Sequence, residues 1–167
     1  MTVTTKTNPG EMRQKVLVGL VKGMTGWAAL VAQAAALKAP VDTGRLARSI
    51  HAGEAEVVSP TFVAILVGTN VEYARAQEMG SGIHAEDPAE RQLILIEAKH
   101  KKALAFKWKN GPQDISAYDP DSGLWFFKRI WHPGVPAHPY LRPAAKETAD
   151  TGRRLVLEAI LAELRVT

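Results

Sequence analysis

Between Val16 and Leu37 the apolar side chains recur at helical spacing. Val16, Leu20, Met24, Trp27, Val31, Ala34 and Leu37 share one face, while Lys15, Lys22, Thr25 and Gln33 fall mainly on others. A helix of this length must lay its apolar stripe on something, so the rest of the chain has to supply a cover. The spacing predicts helix over residues 11–38, interrupted or softened by Gly19, Gly23 and Gly26 and stopped by Pro40, which disfavours helical geometry just before it. Arg13 and Lys15 ahead of the stretch invite an export or membrane reading. Lys22 and Gln33 within it favour a packing helix, and no membrane partner is expected. Residues 1–10 are polar, end in Asn8-Pro9-Gly10, and read as an arm.

A second, short helix is expected after Pro40, capped by Asp42 or Thr43, with Leu46, Ala47 and Ile50 as its apolar face. From Ala55 the texture turns β-branched, and Val57, Val58, Phe62, Val63 and Ile65, split by Ser59-Pro60, read as a hairpin. Gly68-Thr69-Asn70 leads into a helical turn over residues 73–79, closed by Gly80-Ser81-Gly82. Residues 93–96 and the alternating Leu104, Phe106 and Trp108 read as a second hairpin-like region, with residues 124–131 returning as the partner strand. The prolines of residues 132–143 make that segment an extended crossing, and residues 144–165 form the last helix. The expected fold class is α+β, an antiparallel sheet of two hairpins covered by an N-terminal and a C-terminal helix, with residues 11–167 as one domain.

The chain has no cysteine, which removes disulfides and thiolate chemistry. Its net charge of +4 is local in origin: Lys99, Lys101, Lys102, Lys107 and Lys109 lie in one acid-free stretch, and removing those five reverses the sign. Interleaved with Phe106 and Trp108, this strip suits a phosphate backbone or an acidic partner. A small basic nucleic-acid-binding domain is therefore the alternative reading of the chain.

Three patterns suggest catalysis or metal binding and fail on context. Asp-Thr-Gly occurs at residues 42–44 and 150–152, but paired protease carboxylates need tight loops between strands, and both triplets sit against helix patterns. The histidines, His132 and His138 among them, match no metal-ligand spacing. No serine sits in a nucleophile elbow. No catalytic residue, metal or cofactor is expected.

Three blocks, taken in order, resemble the neck or tail-completion proteins of long-tailed bacteriophages, the gene-product-ten-like tail components. The first is residues 39–50, with Pro40, Asp42, Thr43, Gly44, Leu46 and Ser49. The second joins Gly68-Thr69-Asn70 to Tyr73-Ala74 and Glu78-Met79-Gly80. The third combines residues 102–106 with His132-Pro133-Gly134 and Pro139-Tyr140-Leu141-Arg142-Pro143-Ala144, Tyr140 standing where phenylalanine is more usual. The resemblance implies a non-enzymatic structural protein of the virion, assembled in the host cytoplasm. It implies a sixfold or twelvefold ring of identical copies touching connector or stopper and tail-terminator subunits. In such a ring the lysine strip is expected either to line a DNA channel or to meet acidic residues of a neighbour. The proline-rich crossing is expected to offer Tyr140 and Leu141 either as docking anchors or as core.

Overall fold

The structure is a computed structural model that describes residues 8–99, 102–108 and 117–165. Helix α1, Pro9–Lys38, starts where the Asn8 side chain accepts a hydrogen bond from the Gly10 N–H at 3.0 Å and proline occupies the first turn. It runs unbroken through Gly19, Gly23 and Gly26. The reason lies in the last helix, α4, Leu141–Arg165, which packs antiparallel along it. A Cβ built on Gly19 would stand 2.5 Å from the Ile160 Cα, and one on Gly23 would stand 2.5 Å from the Val156 Cα. One step further Trp27 lies against Gly152, where any side chain would enter the indole. Each contact advances four residues along both helices, so Gly19, Gly23 and Gly152 let the two backbones approach at the crossing. The softening expected at Gly19 and Gly23 is thus replaced by close packing. Lys22–Glu163 at 2.6 Å and Lys38–Glu147 at 2.8 Å pin the same register from outside. By length and composition alone α1 is also long and apolar enough to cross a membrane.

Contacts group the chain into two compact units, Met1–Glu78 with His138–Thr167, and Met79–Ala137. In the first, α2 (Arg45–Ser49) follows a left-handed Gly44 with φ 72°, which holds the cap position without a side chain, and of the two caps expected Thr43 meets the first turn, its hydroxyl oxygen accepting the Arg45 N–H at 3.4 Å. Strand β1 (His51–Ala52) pairs antiparallel with β4 (Val67–Gly68), and β2 (Glu56–Ser59) forms the expected hairpin with β3 (Phe62–Ala64). Helix α3, Ala74–Met79, closes the first pass. The core of this unit gathers Val31, Ala35, Ala39, Leu46, Ile50, Val71, Ala74, Tyr140 and Ala144, with Trp27 packed against it.

The second unit departs from the expected hairpin. Strand β5, Ile94–Glu97, pairs with β9, Arg129–His132, while β6, Leu104–Phe106, pairs with β8, Leu124–Phe127, whose other edge takes β7, Tyr118–Asp119. The return strand expected over residues 124–131 is therefore two strands split at Lys128, each serving a different partner. On one face of the β6–β8–β7 sheet Phe106, Trp108, Trp125, Phe127 and Tyr118 pack ring to ring, with centroids 5.1–6.3 Å apart. The α+β class holds, with small antiparallel sheets between terminal helices in place of one covered sheet.

Candidate functional site

The motif residues do not gather around a reactive centre; they stitch the fold together and leave one polar face open. Glu78, on the last turn of α3, is 8% exposed. One carboxylate oxygen accepts the N–H groups of Tyr140 at 2.7 Å and Leu141 at 2.8 Å, and the other accepts the N–H and Nε of Arg142, both at 3.1 Å. These backbone amides open α4, and Pro143 follows with no N–H to satisfy. The carboxylate therefore meets the free donors of the helix start and faces the positive end of its dipole. Arg142 also reaches back, donating Nη2 to the Glu78 carbonyl at 3.0 Å. Burial pushes the carboxyl upward, yet the three backbone donors and the guanidinium together outweigh it and hold its pKa below the ordinary glutamate value.

Tyr140 is fully buried, and its hydroxyl finds no hydrogen-bond partner among the described residues. Burial, then the charge of Glu78, then Tyr73 raise its pKa above the ordinary value. Of the two roles the sequence left open for Tyr140, the structure gives core packing. Leu141 is half-buried and lines an apolar cleft with Met24, Trp27 and Val31, while Pro139 is exposed.

The first and second blocks meet twice. The Ser49 and Thr69 hydroxyls lie 2.6 Å apart, and Thr69 also accepts the Val71 N–H at 3.1 Å. Asp42, Thr43, Gly44 and Arg45 then share a polar pocket of about 380 Å³ with Tyr73 and Gln77. Asp42 is exposed there and Tyr73 is 41% exposed. Thr43 gives its carbonyl to Arg48 Nη2 at 2.9 Å.

Within the second unit, Gly80 closes α3 with φ 75°, and the His132-Pro133-Gly134 block lies along residues 81–83. The Ser81 N–H donates to the Val135 carbonyl at 2.9 Å and the Ile83 N–H to the Pro133 carbonyl at 2.8 Å. Gly134, with φ 92°, passes so close to Ser81 that a Cβ would strike its carbonyl, and the Gly134 N–H donates to His132 Nδ1 at 2.9 Å. His132 is thus spent on a local turn.

The two Asp-Thr-Gly triplets have separate uses: Gly44 supplies a left-handed turn, and Gly152 makes room for Trp27. Asp150 is paired with Arg153 at 2.8 Å on a side chain 92% exposed, and Asp42 is exposed too, so neither sits in the sealed site that a shared proton requires. No group of acids and histidines suited to a metal ion occurs among the described residues. Lys99, Lys102 and Lys107 are exposed, and Lys101 and Lys109 lie outside the described residues.

The stitching pairs Ser49–Thr69 and Glu78–Arg142 were the least visible from sequence. Their only signal was that the blocks recur together, since contact across so many residues leaves no local mark. No curated protein and no solved structure matches the chain. The third block lies outside the family match. That match covers residues 10–80, which hold α1, the first Asp-Thr-Gly and Glu78, and its family is the one described as "Bacteriophage HK97-gp10, putative tail-component".

Proposed function

We propose that the chain is a structural, non-enzymatic subunit of a bacteriophage virion, acting at the neck where the DNA-filled head is joined to the tail. It forms a ring with copies of itself and meets connector or stopper and tail-terminator subunits. The observation that carries the reading is the family match over residues 10–80, whose motif residues serve as stitching and as open surface instead of as a catalytic set. The polar pocket around Asp42, Thr43 and Tyr73 is the face offered to a neighbour.

The test is a phage deleted for this gene. Filled heads and finished tails that accumulate unjoined, and that join when purified protein is added, are the expected result. Normal joined particles from the deletion would remove the neck reading.

A further inference from the structure

Both faces of the β5–β9 ribbon carry exposed apolar side chains, with Glu97 and Arg129 paired at one end. Leu95 and Trp131 stand opposite each other on one face, and Ile96 faces Ile130 on the other. Leu93 is 50% exposed, Leu95 40% and Trp131 61%, and Ile94 and Ile96 are both more than a third exposed. A two-stranded ribbon is marginal in water without something packed on it, and a bare run of this composition is an aggregation hazard. On the face that carries Leu93, Leu95 and Trp131 these exposures leave roughly 300 Å² of apolar surface, more than a third of the ~800 Å² that one partner brings to a stable interface.

The helical unit carries the complementary feature. A cleft of about 400 Å³ is lined by Met24, Trp27 and Val31 of α1, Ile65 and Val67 of the strand region, and Leu141 of α4. Its lining is almost wholly apolar, and its size suits one indole with a neighbouring leucine.

We propose that the ribbon of one copy docks, through Trp131 and Leu95, into the α1–α4 cleft of a second copy of this chain. The inference rests on the ring reading above and supplies its contact. Ribbon and cleft are different surfaces present once per chain. Pairing them is head-to-tail and leaves one free ribbon and one free cleft until a ring closes.

The cysteine-free chain gives a clean test. Trp131→Cys and Ala145→Cys, the latter an exposed position in the cleft lining, are made as separate proteins, mixed, and treated with a short bismaleimide. The expected result is a cross-linked heterodimer in much higher yield than when Asp150→Cys replaces Ala145→Cys. In native mass spectrometry Trp131→Ser, and Ala145→Trp, which fills the cleft, weaken self-association roughly tenfold or more at unchanged melting temperature. Equal yields with Asp150→Cys overturn the contact, and so does Trp131→Cys linking only to itself, which would mean ribbon-to-ribbon pairing. Either outcome leaves the ring reading standing as long as the unsubstituted chain still assembles. An unsubstituted chain that stays monomeric alongside its head and tail neighbours removes the ring reading, and this contact with it.

Discussion

At Glu78 burial and hydrogen bonding act on one carboxyl group in opposite directions, and the bonds to Tyr140, Leu141 and Arg142 win. A folded-state pKa below the unfolded one means that the stabilisation is present above the ordinary glutamate pKa and is lost as pH falls through the depressed value. The melting temperature should therefore drop as pH is lowered below the ordinary carboxylate range, and Glu78→Gln should flatten that part of the profile in a pH series of thermal melts. Glu78→Ala strands three helix-start amides and a guanidinium, and should cost about 2–4 kcal/mol in denaturant unfolding. Tyr140→Phe works the other way. It removes a buried hydroxyl that has no partner among the described residues, so a gain of about 1 kcal/mol is expected with the packing of the ring kept. A loss on Tyr140→Phe would mean that the hydroxyl has a partner. The sequence marked Glu78, Tyr140 and Arg142 as motif members, but their meeting spans 62–64 residues, and no periodicity encodes a contact that distant.

Helix α1 was legible at its end and along its length because spacing and Pro40 are local signals, but Pro9 and Gly10, read as the close of an arm, are its first turn, and what its inner glycines do was not legible. An interior helix glycine costs about 1 kcal/mol against alanine, so sequence alone reads it as softening, and only the partner helix reveals a close approach. This separates three similar positions. Gly26 is exposed, and a Cβ there would meet only the Leu155 side chain at 3.9 Å, so Gly26→Ala should stabilise by up to about 1 kcal/mol. Gly19→Ala and Gly23→Ala push a methyl into the α4 backbone, and should destabilise by about 1–3 kcal/mol despite the better propensity. Equal stabilisation at all three positions would mean that the two helices are not so close. Strand pairing was the other blind spot. Alternation at Leu104, Phe106 and Trp108 fixed which residues share a face, yet nothing in it says that β5 passes over β6 to pair with β9.

For the whole molecule, charge decides what the chain can touch in the neck proposed for it. The net charge of +4 depends on the five-lysine stretch, and Lys99, Lys102 and Lys107 within it are exposed. Packaged DNA running past such a strip would be held by counterion release, without regard to sequence. If the strip faces DNA, duplex binding should weaken steeply with salt, and converting Lys99, Lys102 and Lys107 to alanine should lower the log–log salt slope by about 3, near 0.9 per lysine. Scrambling the duplex sequence should change nothing, because phosphate contacts carry no base information. Fluorescence anisotropy across a salt series reads both quantities. An unchanged slope in the triple variant would take the strip away from DNA and leave it for an acidic neighbour. In that case the same three substitutions should slow assembly of the neck while DNA affinity stays as it was, because a charged surface facing a protein acts first on the rate of encounter.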